Sequence, residues 1–121
     1  MAKIDRRKVL LKYRGKCAYC GCPITLKNFQ VDHIHPQYKS HWPEGKNINR
    51  EENLNPACRS CNNFKSTMDI PTMRKELAEQ IERALRMSSQ VRRAVKYGQI
   101  KLTPGPIVFW FEICPNLPKE K

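Results

Sequence analysis

The sequence predicts an α+β protein whose small core, with a short strand and a helix, is stapled by a metal ion. A helix precedes this core, and a helical arm and a terminal strand follow it. Three observations carry the prediction. Two CxxC pairs, Cys17 with Cys20 and Cys58 with Cys61, flank residues 29–34, which alternate well enough for a strand. Residues 59–66, directly after the second pair, are spaced as a short helix. Downstream, apolar residues recur at helical intervals from Ile70 to Leu85.

With 121 residues the chain is one domain's worth, its core helped by a structural metal. The expected division is a core with a basic N-terminal helix over residues 1–68 and an extension over 69–121 packed on it. Lysine and arginine number 23 against 11 acids, a formal charge of +12. Such an excess favours a polyanion, nucleic acid first, although basic surfaces also serve solubility alone. The N-terminus lacks the apolar stretch of a secretion signal, and no apolar run is long enough to span a bilayer. A cytoplasmic, reducing setting is therefore expected, with no membrane partner. There the CxxC pairs read as one tetrahedral zinc site rather than as disulfides.

Taken in order, residues 4–13 read as an amphipathic helix capped by Asp5, with Gly15 just past its end. Residues 1–16 hold seven basic residues and one acid, a phosphate-tracking surface or a solvated helix face. Cys17 to Cys22 form a knuckle in which Gly21 permits a tight turn. Either Cys20 or Cys22 can be its second ligand, and the matching spacing of the other pair favours Cys20. The strand over 29–34 carries Asp32 and His33 at its exit. Strand geometry sends neighbouring side chains to opposite faces, so both can serve one phosphate only if the strand twists or opens there. Residues 37–50 form a polar loop whose Tyr38, Lys39, His41, Trp42 and Lys46 interleave aromatic and basic side chains. It suits base stacking with phosphate contacts, or Trp42 simply covers a loop cluster. On the helix over 59–66, Asn62, Lys65 and Ser66 share the face expected to look at Asp32 and His33.

Asp69 and Pro71 then start a helix whose stripe from Ile70 to Leu85 packs on a core, with Ser88 and Ser89 as a break or cap and a further helix ending at Gly98. Its basic outer face either extends a nucleic-acid footprint or is solvated. Residues 107–113, IVFWFEI, are the most apolar run and rich in β-formers, so they read as a strand or extended segment needing an intramolecular or dimer partner.

The set Val31-Asp32-His33, Asn53, the Cys61-Asn62 pair and Lys65, framed by two CxxC pairs, resembles the HNH endonuclease family over residues 17–66. The resemblance implies a treble-clef-like ββα-metal core and DNA cleavage to 5′-phosphate and 3′-hydroxyl ends. It assigns His33 as the general base, Asp32 and Asn62 as ligands of a catalytic Mg²⁺ or Mn²⁺, and Asn53 as a brace for the loop carrying the histidine. Cys17, Cys20, Cys58 and Cys61 would hold Zn²⁺; Lys65, Arg59, Trp42 and Lys39 would contact DNA. The family's last histidine is replaced here by Asn62, which disfavours softer metals at that position. One such site cuts one strand, so a double-strand break would need a homodimer or a second visit. The rival from another class is a non-catalytic zinc-stabilised nucleic-acid-binding module, which has no need of Asp32, His33 and Asn62 together.

Overall fold

Asp5 opens the first helix, α1 (Arg6–Leu11), by accepting the Lys8 N–H at 3.1 Å, the capping geometry a short acceptor side chain provides. The computed structural model describes residues 4–35 and 49–118. Val9 is the buried residue of α1. The helix stops short of Tyr13 because Arg14 and Gly15 take positive φ values of 63° and 71°, turning the chain into the cysteine knuckle. At Gly21, φ is +79° and the Trp110 side chain lies 3.5 Å from where a Cβ would stand.

Strands β1 (Phe29–His33) and β2 (Leu54–Cys58) pair antiparallel, in register from Phe29 opposite Cys58 to His33 opposite Leu54. Pro56 sits mid-strand opposite Val31, tolerated because both strands of a two-stranded sheet are edges. Its carbonyl still accepts the Ala18 N–H at 2.8 Å, tying the knuckle to β2. Helix α2 (Arg59–Lys65) starts directly from β2, and the Cys58 sulfur caps it by accepting the Cys61 N–H at 3.4 Å. The predicted core of two strands and a helix is therefore present. The ladder holds through His33, so of the two ways for Asp32 and His33 to serve one phosphate, a twist or an opening of the strand, only twist is compatible with it.

Two compact units divide the chain: Met1–Asp69 with Val108–Lys121, and Ile70–Ile107. In the second unit, the helix expected from Ile70 to Leu85 is two, α3 (Ile70–Ala78) and α4 (Gln80–Met87), and the further helix expected beyond the break at Ser88 is α5 (Ser89–Lys96). The first break falls at Glu79 (φ −92°, ψ −2°), and Arg83 spans it, holding Glu76 at 2.6 Å and Glu79 at 2.5 Å. At the second, the Ser88 hydroxyl caps α5 by accepting the Val91 N–H at 3.2 Å.

The predicted terminal strand is not formed. Residues 101–109 take no regular secondary structure, Phe109 itself being extended, and then α6 (Trp110–Ile113) makes one helical turn, followed by a 3₁₀ turn over Cys114–Asn116. Glu112 reaches back to accept the Phe109 N–H at 2.9 Å, an N-terminal cap that a strand could not use. The backbone donors that a strand would pair go to the knuckle instead: Trp110 N–H to the Tyr19 carbonyl at 3.1 Å and Phe111 N–H to that of Ala18 at 2.8 Å. The apolar run thus finds its partner within the chain. Phe109 is buried, its ring edge-on to Tyr19 with centroids 5.5 Å apart, and Phe111 stacks on Phe109.

This packing predicts that Phe109→Ala loses roughly 3–5 kcal/mol of unfolding free energy, the usual loss for a buried phenylalanine. Val108→Ser, at an exposed neighbouring position, should change it little. Guanidinium melts of both variants with zinc present would check the pair.

Candidate metal centre and active site

The sulfur atoms of Cys17, Cys20, Cys58 and Cys61 lie within 4.8 Å of one another, and those of Cys20 and Cys58 are 3.8 Å apart. A tetrahedral ion with metal–sulfur bonds of about 2.3 Å requires sulfurs about 3.8 Å apart, so the cluster fits Zn²⁺. Cys61 donates to Cys17, drawing the Cys17 thiol down to about 4 while the Cys61 thiol is pushed up. Four sulfurs this close cannot all ionise unless a cation joins them. The cluster pairs Cys17 with Cys20, in line with the spacing. Cys22 lies beside Cys20 and Cys58, and burial, then its bonding to Cys20, raises its thiol to about 12. Its carbonyl accepts the Cys17 N–H at 2.8 Å, which closes the knuckle.

Asp32 is 3% exposed, and both its oxygens are engaged. Lys65, with no exposed surface, sets its ammonium 3.2 Å from Oδ1 and also donates to the His33 carbonyl at 2.9 Å. The Tyr19 hydroxyl donates to Oδ2. Burial raises the Asp32 pKa, and the Tyr19 hydrogen bond and the Lys65 charge oppose that rise. Burial, then the neighbouring carboxylate, keeps the Tyr19 phenol protonated. Asn55, buried on β2, donates to the Tyr19 oxygen at 3.4 Å and accepts from the Lys12 ammonium at 3.3 Å. Lys12 also donates to the Leu54 carbonyl at 2.7 Å, and burial lowers its pKa.

Strand alternation gives Gln30 and Asp32 one face of β1, and Asn62 and Lys65 lie nearly one turn apart on α2. The two elements meet along this seam: Asn62 Nδ2 donates to Gln30 Oε1, and Lys65 pairs with Asp32. Asn62 thereby keeps its carbonyl oxygen as an atom able to ligate a cation. His33 falls on the alternate face, half-buried, with Nε2 2.7 Å from Asn49 Oδ1. Asn53 is buried, and its Oδ1 accepts the His35 N–H at 2.9 Å while its backbone carbonyl accepts the Ile34 N–H at 2.9 Å. It braces the chain immediately after His33.

Two relatives and a family model match this region. The model for HNH endonucleases covers residues 17–67. Residues 17–67 are thus similar to HNH endonucleases. The CRISPR-associated endonuclease Cas9 of Corynebacterium diphtheriae is 42% identical over 64 residues, which are 53% of this chain and 5% of the relative. The crystal structure of the Type II-C Cas9 enzyme from Actinomyces naeslundii is 33% identical with a TM-score of 0.49, over 60% of this chain and 8% of that one. The chain thus spans a small fraction of the length of either relative.

Within the HNH segment, the sequence expectation is corrected at Lys65. It was expected on a nucleic-acid phosphate, but its ammonium is committed to Asp32 and the His33 carbonyl inside the core. Arg59 is exposed at the start of α2. Lys39 and Trp42 lie outside the described residues. Gln30, Tyr19, Asn55 and Lys12 were not singled out from the sequence. A tyrosine between two zinc-type cysteines was the one visible hint among them. No helix among the described residues is long and apolar enough to cross a membrane. A hard cation fits the donor chemistry of the seam, since a carboxylate and an amide carbonyl supply oxygen ligands.

Cys17→Ser and Cys58→Ser should each lose bound zinc and cooperative unfolding together, because structural zinc supplies folding free energy. Metal analysis beside a thermal melt tests this, and a stable zinc-free variant would remove the tetrathiolate. Lys65→Met, which leaves Asp32 buried without its counter-charge, should lower stability by roughly 3–5 kcal/mol in a denaturant titration.

Proposed function

We propose that the chain is a metal-dependent endonuclease that hydrolyses DNA phosphodiester bonds to 5′-phosphate and 3′-hydroxyl ends. The observation that carries this reading is the division of labour on β1 of the HNH segment. Asp32 is fixed and buried on the seam with α2, and the next residue, His33, presents a half-buried imidazole held by Asn49.

His33 is the general base in this reading. With Nε2–H donated to Asn49 Oδ1, the ring's lone pair is on Nδ1. Imidazole is the side-chain type suited to general-base work near neutral pH. Asn53 keeps the histidine in place through the backbone of Ile34 and His35. Asp32 and Asn62 hold a divalent cation, Mg²⁺ or Mn²⁺, on hard oxygen ligands. Bound there, the ion would neutralise charge on the scissile phosphate and the departing oxygen. Arg59 is an exposed candidate for phosphate contact, and the net charge of +12 supports a polyanionic substrate. A single site nicks one strand, and a homodimer or a second visit would complete a double-strand break. The reading implies a cytoplasmic setting.

The test is cleavage of supercoiled plasmid by wild type and His33→Ala, with Mg²⁺ or chelator, alongside DNA binding by both proteins. Expected are metal-dependent nicking, a loss of about 10²-fold or more in the variant, and binding retained. Binding without cutting, across metals and substrates, would leave a zinc-stabilised nucleic-acid-binding module.

A further inference from the structure

Tyr19 stands between two of the four clustered cysteines, yet its hydroxyl takes no part in the sulfur centre. It crosses the core to donate to Asp32 Oδ2, and Asn55 donates to the same hydroxyl oxygen at 3.4 Å. The residue has little freedom to do otherwise. Its ring lies edge-on against Phe109 and Phe111, with centroids 5.5 Å and 6.0 Å away. Its carbonyl accepts the Trp110 N–H at 3.1 Å, and the preceding Ala18 N–H is held by the Pro56 carbonyl at 2.8 Å. The position of the hydroxyl is therefore set by the position of the knuckle, which Cys17 and Cys20 fix on either side.

We infer that Tyr19 is a positioning residue that holds the Asp32 carboxylate for the catalytic cation and so makes cation affinity depend on the zinc knuckle. The inference rests on the nuclease reading above. Lys65 alone restrains one oxygen of Asp32, at 3.2 Å, and leaves the carboxylate plane able to rotate. The Tyr19 donor on the other oxygen fixes that plane. Without it, Oδ2 would lose its donor in a desolvated place, and the carboxylate would turn toward the Lys65 ammonium. A cation that Lys65 already opposes by charge would then lose a preorganised ligand. The knuckle would thus act on the active site through one phenol rather than only by stabilising the fold.

Tyr19→Phe keeps the ring and removes the donor. Zinc content should stay close to wild type, and melting should fall only modestly, as the loss of one hydrogen bond to a buried carboxylate requires. Mn²⁺ binding measured by calorimetry without DNA should weaken about 10- to 100-fold, the range found when a hydrogen-bond partner of a metal ligand is removed. The metal concentration for half-maximal nicking should rise by the same factor, with the saturated rate nearly unchanged. A merely structural role would lower stability without that split. Mn²⁺ binding unchanged from wild type would overturn the inference and leave the nuclease reading standing. Wild type that binds no cation through Asp32, judged against Asp32→Asn, would overturn both. Should Tyr19→Phe not fold, 3-fluorotyrosine placed at position 19 alone keeps ring and hydroxyl. Its fluorine resonance should shift with Mg²⁺ in the otherwise native chain and not with Asp32→Asn, and a resonance unmoved by saturating Mg²⁺ overturns the inference.

Discussion

The structure depends most on the burial of one carboxylate. Asp32 sits inside a small protein, where an isolated charge would be very unfavourable unless paired and hydrogen-bonded. Its compensation comes from parts of the chain far apart in sequence: Lys65 from α2 and Tyr19 from the knuckle. Asn55 on β2 supports Tyr19, and Lys12, just past α1, supports Asn55. Residues on β1, β2 and α2, in the knuckle and just past α1 thus either touch the carboxylate or support a residue that does. Partial satisfaction of such a network is worse than an apolar core, which makes its members interdependent.

The sulfur cluster answers a different constraint. A two-stranded sheet with one short helix buries too little apolar surface to hold a polar network in place. A metal ion joining the four sulfurs would staple the knuckle to the β2–α2 junction and supply that rigidity without needing a larger core. The terminal segment completes it. Trp110 covers Gly21, and Phe109 and Phe111 wall in Tyr19, so residues beyond the HNH segment close the core around its metal-binding end.

Much of this was legible because it is local. Asp5 and Ser88 cap helices where short polar side chains precede periodic runs, and paired cysteines at a fixed spacing announce a common ion. Asn53 and Asn62 were found by resemblance to a motif rather than by any physical signal. What escaped was decided by tertiary partners. The run IVFWFEI has the composition of a strand, but its backbone donors are taken by the knuckle and Glu112 caps a helical turn. No glycine or proline near Glu79 marks the break between α3 and α4. Lys65 shows the limit most clearly. Its place on the face of Asn62 could be read from helical spacing, but whether its ammonium pointed outward or into the core depended on Asp32, an acid far away in the chain.

Lys65 also shapes the chemistry of the proposed site. A carboxylate offers about four lone-pair directions, and Lys65 and Tyr19 occupy two, which leaves acceptor capacity for a cation on a group that is already oriented. The same ammonium repels that cation in a poorly screened interior. With one carboxylate and one amide as protein ligands, the cation would be held weakly by the chain alone. A phosphate anion arriving at the seam offsets both positive charges at once. In this reading the chain binds the cation by itself and the substrate phosphate tightens that binding, so cation affinity rises once the scissile phosphate is in place. His33, on the other face of β1, is tied to this network through its backbone carbonyl, which accepts from Lys65, while Asn49 holds its imidazole, so one ammonium couples the position of the base to that of the buried carboxylate.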